Sequence, residues 1–463
     1  MILSQLNSSF QFILKLQQNH NLKKESYHIC EYGVIRSLND YSRDAVSSLA
    51  ELYLPEKHFE SIHKYISQNQ DESSESEKPF SLFSKGKRRQ IKVKNYVGVL
   101  ETKEGLHLEI LPKIHLDKTS DQLGETKSIF LRMLKHLKNS PFVNISKAHI
   151  ESKKDFPILE VFIKSYINEA EKVFNHGVKS DYVLKEENVP YLRGKLKVNQ
   201  NIKFNFADKA KFFCEFSDYS PNIPANRLIK TTLIKLLKIT NSYNNYYSIN
   251  KILSHLEDVE ISSNIKADLT TVNSINRLLL KYKTLLLWSE IFLTNKSFTN
   301  FKGDNLNMAI LFPMEKIFED YIAFLFNKYS DGFKIKVQDK SYFLVEKHKG
   351  EPKFRLKPDI VIDKESIRKK IVDTKWKLLD QFAERKNYNI SQADMYQLYA
   401  YGKKYTTDSI DPCLVLLYPS NPNFSSKLDN FIYEGDLALE AVPFDLNGNE
   451  EHQQKQIENI LNI

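Results

Sequence analysis

The sequence predicts an α+β protein of several domains, with a β-rich first part, a helical middle and an α/β final part. Three observations carry this reading. At 463 residues the chain exceeds one compact core, since single domains run to about 100–200 residues. Its 41% hydrophobic and 12% aromatic content supplies packed interiors. The spacing of apolar residues also changes twice along the chain, dividing it into segments 1–125, 126–300 and 301–463.

In the first segment, "SQNQDESSESEKP" (67–79) is polar, acidic and serine-rich, the composition of a linker. "YVGVLET" and "LHLEILP" flank Lys103, Glu104 and Gly105, so residues 90–114 read as a β-hairpin. Just before them, "SKGKRRQIKVK" offers Lys85, Lys87, Arg88, Arg89 and Lys92 as phosphate contacts, although a strand edge protected by lysines needs the same residues. The middle segment repeats apolar residues at three and four over 127–138, 158–174, 226–239 and 274–293, which predicts a helical bundle. Between these helices, 191–205 alternates around Gly194 and reads as an embedded strand pair.

The final segment begins with an amphipathic helix over 312–329, with Met314, Ile317, Phe318, Tyr321, Ile322 and Leu325 on one stripe. Strand patterns follow in "FKIKVQD", "YFLVE", "LKPDIVID" and "KIVDTKW". "SQADMYQLYAYGKKY" reads as a helix opened by a capping box of Ser391 and Asp394, and "CLVLLYP" (413–419) as a buried strand between two prolines.

Several function classes are disfavoured. Cys30, Cys214 and Cys413 are too few and too far apart for a disulfide framework or a zinc cluster. The 12 histidines are scattered, with no H-x-x-x-H pair for a histidine-metal nuclease. No G-x-x-x-x-G-K-[ST] loop is present to cradle a nucleotide triphosphate. No apolar run approaches the ~18 residues of a membrane span and no secretory leader is evident, so a cytoplasmic protein is expected. The formal charge of +9 suits a polyanionic partner without demanding one.

The chemistry concentrates in "LKPDIVID" and "KIVDTKW". Residues two apart on a strand share a face, so Asp373 and Lys375 project together while Thr374 and Trp376 point away. If the two strands pair across "KESIRK", Asp359 joins them. Two carboxylates in one place repel unless a cation sits between them, and hard oxygen ligands with open positions favour Mg²⁺, with Mn²⁺ as a substitute. The competing reading makes Asp359 a turn residue and Asp373 and Lys375 a solvated strand face. On the preceding helix Glu315 and Glu319 lie one turn apart, and helical geometry does not choose between them.

Pro358-Asp359 followed by Asp373-Thr374-Lys375 resembles the PD-(D/E)xK nuclease superfamily. "YLRGKLKVNQNIKFN", "FSDYSPNIPANRLIKTTLIKLL" and "KPDIVI…IVDTKWK…YQLYAY" are similar to the McrC family, the endonuclease subunits of McrBC-type modification-dependent restriction systems. The resemblance implies a restriction-endonuclease-like final domain with a mixed central sheet flanked by helices. It implies Asp359 and Asp373 as metal ligands, Lys375 as the water- and charge-handling residue and, from its place in "IFEDY", Glu319 as the helix acid. Gln397 and Tyr401 look like a Gln-x-x-x-Tyr element that positions the lysine strand or the DNA. The implied partners are a McrB-like AAA+ GTPase ring, engaged by part of residues 1–300, and double-stranded DNA, methylated or otherwise modified. A non-catalytic adaptor with a nuclease-like fold and a stand-alone structure-specific nuclease are the alternatives.

Overall fold

The structure is a computed structural model that describes residues 26–41, 45–68, 78–86, 88–114, 120–145, 156–207, 209–273, 277–294, 306–365, 367–406 and 411–462. It is a mixed α+β chain that forms two compact units. The first contains residues 1–143, 147–155 and 297–463, and the second residues 144–146 and 156–296. Compactness therefore divides the chain differently from the three segments read from sequence, because a strand beginning at residue 306 returns to the first sheet.

The first unit opens with strands β1 (Ser26–Cys30), β2 (Val34–Ser37) and β3 (Glu51–Leu54), helix α1 (Glu56–Gln68), strands β4 (Phe80–Lys85), β5 (Arg88–Val93), β6 (Tyr96–Thr102) and β7 (His107–Leu111), and helix α2 (Ser120–Leu134). One sheet has the order β3-β2-β5-β4. α1 covers the adjoining core with Phe59, Ile62, Tyr65 and Ile66, which recur at helical spacing and are buried. Each such side chain contributes about 1.5–3 kcal/mol of burial. β6 and β7 form the expected antiparallel hairpin. The expected linker begins later than its composition suggests, since α1 extends through Gln68; residues 69–77 lie outside the described part.

The second unit contains α3 (Ile158–Phe174), β8 (Asp181–Val189), β9 (Lys195–Leu196), α4 (Val198–Phe204), β10 (Phe212–Ser220), α5 (Pro224–Ile239), α6 (Tyr243–Leu253), α7 (Ile265–Asn273) and α8 (Lys283–Thr294). Its core includes Phe162, Tyr166, Trp288 and Phe292, with Trp288 and Phe292 stacked at 5.3 Å. The strand pair expected over 191–205 is corrected: only Lys195–Leu196 is extended, and Val198–Phe204 is helical. Asparagine side chains stabilise that short helix. Asn201 accepts from Phe213 N at 2.9 Å, and Asn205 donates to Asn201 at 2.8 Å and to the Lys211 carbonyl at 2.9 Å. The helix expected over 274–293 starts later, at Lys283, after a 3₁₀ stretch over Arg277–Tyr282.

The first unit resumes with β11 (Leu306–Pro313), α9 (Met314–Tyr329), β12 (Lys334–Val337), β13 (Phe343–His348), β14 (Glu351–Arg355), β15 (Ile360–Lys364), β16 (Ile367–Thr374), α10 (Gln392–Tyr405), β17 (Cys413–Pro419), β18 (Phe431–Ile432), β19 (Ala438–Phe444) and α11 (Glu450–Asn462). β11 completes a sheet of order β1-β7-β6-β11, and α9 buries its entire predicted apolar stripe. A six-stranded mixed sheet follows, in the order β12-β15-β16-β17-β19-β18. β15 and β16 are antiparallel, whereas β16, β17 and β19 run parallel. That placement explains the unbroken apolar run of β17, which is covered on both faces. The capping box expected at Ser391 does not form. Ser391 makes no side-chain cap, and Asp394 instead accepts from Lys377 Nζ at 2.7 Å, an ion pair stronger than a neutral cap.

β6 and β11 leave no room for a side chain at Gly98, which pairs with Leu311. Its φ is +137°, and an added Cβ would stand 2.0 Å from the Ile310 carbonyl oxygen. Gly98→Ala is expected to destabilise the protein by roughly 3 kcal/mol, because neither the backbone angle nor the neighbouring strand can yield cheaply. The denaturation midpoint followed by circular dichroism measures this.

Candidate active site

β15 and β16 bring the predicted residues together. Their register pairs Ile360 with Val372, which puts Asp359 and Asp373 opposite each other at the next position and on one face. Asp373 is 1% exposed. Asp359 Oδ2 accepts from both the backbone N and Oγ1 of Thr374, each at 2.7 Å. Thr374 was expected to point away. Its Oγ1 nevertheless reaches Asp359 at the last residue of β16.

Lys375 continues along the neighbouring strand through its backbone N, which donates to the Leu417 carbonyl at 2.9 Å. Its Nζ lies 2.5 Å from Asp373 Oδ2 and donates to Gln397 Oε1 at 3.1 Å. Gln397 Nε2 in turn donates to Tyr401 OH at 2.7 Å. The two α10 residues thus form a relay from a buried aromatic to the lysine ammonium. Lys377 and Asp394 tie the same helix to the segment after β16.

The structure separates the two candidate helix acids. Glu319 is partly buried, accepts from Gln338 Nε2 and pairs with Lys316 at 3.3 Å. Its charge acts on both Asp359 and Asp373. Glu315 is exposed, and its charge acts instead on Glu31 and Tyr32.

Burial pushes the Asp359 carboxyl up to about 7, and the negative charges of Asp373 and then Glu319 add to the effect. Burial likewise raises Asp373, against the opposing pull of Lys375. For Lys375, burial favours the neutral amine, but the Asp373 carboxylate outweighs it and the ammonium is held more firmly. The site is therefore over-supplied with buried negative charge. Among the described residues no three His, Cys, Asp or Glu side chains are grouped closely enough to hold a metal by themselves. Two carboxylates with open positions nevertheless fit Mg²⁺, which keeps waters and substrate phosphate oxygens in its shell.

The basic cluster in the first part of the unit is differently occupied. Arg89 pairs with Glu56 at 3.1 Å and with Glu60 at 2.5 Å, and Arg88 lies 4.7 Å above the Tyr41 ring. Lys85 and Lys92 are exposed, and Lys87 lies outside the described residues. Thr374, Gln338 and Asp394 are the site neighbours that sequence reasoning missed. The middle position of "DTK" signals Thr374, but nothing local signals Gln338, which arrives from a different strand end.

The fold thus carries a paired-acid and lysine cluster built on a mixed sheet. The chain belongs to the family described as McrBC 5-methylcytosine restriction system component, whose model matches residues 91–419. Among solved structures it is similar to a chain of the refined half-complex from a tetradecameric assembly of Thermococcus gammatolerans McrB AAA+ hexamers with bound McrC. The identity is 18%, the TM-score 0.65, and the match covers 94% of this chain and 100% of that one. A second match, to a chain of the cryo-EM structure of the Thermococcus gammatolerans McrBC complex, has 18% identity and a TM-score of 0.45, covering 66% of this chain and 88% of that one. No curated protein matches the sequence.

The burial of Asp359, reinforced by the charge of Asp373, has a measurable sign. Because Asp359 is raised above its unfolded value, it binds a proton more readily when folded. The resulting penalty is absent below about pH 4, grows as pH rises toward 7 and is complete above it. Asp359→Asn is therefore expected to raise the melting temperature in EDTA at pH 8 by several degrees, and to change it little at pH 4. Differential scanning fluorimetry across this range checks both.

Proposed function

We propose that this chain is the Mg²⁺-dependent endonuclease subunit of an McrBC-like modification-dependent restriction system, with a PD-(D/E)xK nuclease domain in its final part. The observation that carries the reading is the convergence of Asp359, Asp373 and Lys375 on one face of β15 and β16. Asp359 and Asp373 hold the cation, which supplies water activation and stabilisation of charge on the scissile phosphate when bound. Lys375 orients the attacking water and neutralises charge developing on the phosphate, in a partly buried place where its interaction is weakly screened. Gln397 and Tyr401 keep that ammonium from swinging away. Glu319 sets the charge of the pocket and orders Gln338 beside it.

Asp373→Ala and Lys375→Ala are each expected to lower cleavage of methylated duplex DNA by at least about a thousandfold, while binding to the partner ring persists. Gel assays with Mg²⁺ and the assembled complex measure the first, and co-elution measures the second. Cutting that survives both substitutions would remove the assignment.

The partner in this reading is a McrB-like AAA+ GTPase ring, whose nucleotide hydrolysis this chain stimulates. Support comes from the likeness to McrC held in such an assembly and from the three-stranded sheet β8-β10-β9. There Tyr182 and Tyr219 are 72% and 65% exposed, with rings 5.4 Å apart, and Leu184 of β8 is exposed, as are Leu192, Ile202 and Phe206 on the chain between β8 and β10. A soluble unit leaves so many large apolar groups uncovered where a partner covers them. Replacing Tyr182 and Tyr219 together by Ser should weaken ring binding about tenfold or more and lower GTP hydrolysis at limiting protein, while the melting temperature stays unchanged. Titration of the ring with each protein, read by phosphate release and analytical ultracentrifugation, tests this.

A further inference from the structure

The hairpin of β13 and β14 stands immediately ahead of Asp359, and neither the catalytic group nor the partner surface uses it. From Lys340 to Lys357 the chain carries five lysines and Arg355 against only Glu346 and Glu351. Both acids are spent: Glu351 holds Lys353 at 2.8 Å, and Glu346 holds Lys404 of α10 at 2.9 Å. Lys347, Lys349 and Lys357 face solvent.

The foot of the hairpin is fixed to the site. Leu356 N donates to the Tyr342 carbonyl at 2.9 Å. The Tyr342 ring packs against Tyr405 of α10 at 4.6 Å, and Tyr405 OH donates to Asp339 at 2.9 Å. Gln338 N donates to the carbonyl of Asp359 itself at 2.8 Å. A rigid base thus carries a basic, exposed tip.

Phe354, at the other end of β14 beside the foot, gives the hairpin a second property. It is 73% exposed, and its φ is +58°, a conformation that costs a bulky residue about 1–3 kcal/mol. Folding alone does not account for an apolar ring that is both strained and turned into water. Lys353 and Arg355 flank it in sequence, with Arg355 held 4.7 Å over the Phe343 ring. Cations on both sides of an exposed ring match a duplex, where phosphates border the base steps that an apolar wedge can part. Phe354 is five residues before Asp359, at most about 16 Å of extended chain, or about five base-pair steps.

We propose that this hairpin is a duplex-DNA arm, in which Lys347 and Lys349 hold phosphates and Phe354 inserts between base pairs close to the bond to be cut. The proposal rests on the nuclease reading for its substrate, and its test separates the two.

Binding of the full-length chain to a methylated 30-base-pair duplex containing 2-aminopurine is followed in EDTA, by anisotropy and by 2-aminopurine fluorescence. Lys347→Ala with Lys349→Ala is expected to weaken binding about tenfold and to lower the slope of log K against log salt by about 2. Phe354→Ala is expected to weaken binding about tenfold at unchanged slope and to abolish the fluorescence rise, which Phe354→Trp restores. Unchanged affinity and slope in the lysine variant overturns the arm, and a fluorescence rise that survives Phe354→Ala overturns the wedge. Cleavage by the wild-type chain with the ring partner and Mg²⁺ is scored separately. Its absence overturns the nuclease reading, while the binding data still decide the arm.

Discussion

The burial of Asp359 and Asp373 side by side is the constraint on which the arrangement of this region depends. A sheet ordinarily buries apolar groups at such positions, and two buried like charges cost several kcal/mol, on the order of a whole domain's spare stability. The chain offsets part of that cost locally. Two donors from Thr374 hold one carboxylate, and the Lys375 ammonium faces the other. The remainder stays as a raised proton affinity of Asp359.

Holding the acids in place requires a support that does not relax, and its parts come from distant stretches of sequence. α10 is fixed above the sheet by Leu398, Tyr401 and Tyr405, which share a core with Leu414, Leu416 and Tyr418 of β17. From that base Gln397 meets Lys375, and Asp394 meets Lys377. One residue on from the lysine, Trp376 turns the other way, where its indole N donates to Glu31 and its ring meets Phe318 edge-on at 5.2 Å. Alternation along one short segment therefore sends Lys375 into the charged group and Trp376 into the packing beneath it.

Period-two and period-three-to-four patterns revealed most of this in the sequence. The stripe of α9, the hairpin of β6 and β7 and the buried run of β17 follow from local spacing alone. So does the shared face of Asp373 and Lys375. What local spacing misses are interactions whose second partner is remote. The polar run before residue 205 alternates like a strand, yet Asn201 and Asn205 find partners on other segments and close a helix. Ser391 and Asp394 are spaced as a capping box, but Lys377 competes for the acid and wins by its charge. Gln338 belongs to the site because β12 pairs with β15, a fact of sheet topology.

The choice between Glu315 and Glu319 shows the same limit more sharply. Four residues rotate a helix by about 400°, so the two acids differ by only about 40° in direction and by one turn, about 6 Å, in height. No periodicity argument resolves so small an angle. The resolution lies in where α9 starts: β11 ends at Pro313, the helix begins at Met314, and the first turn is held near the first sheet by Met314 N and the Asn95 carbonyl at 3.3 Å. That places Glu315 within reach of Glu31, whose carboxyl burial has already pushed up to about 7, and leaves Glu319, one turn on, to act on the paired aspartates. A single helix thus supplies negative charge to two buried carboxyl environments, and the strand before it determines which acid serves which.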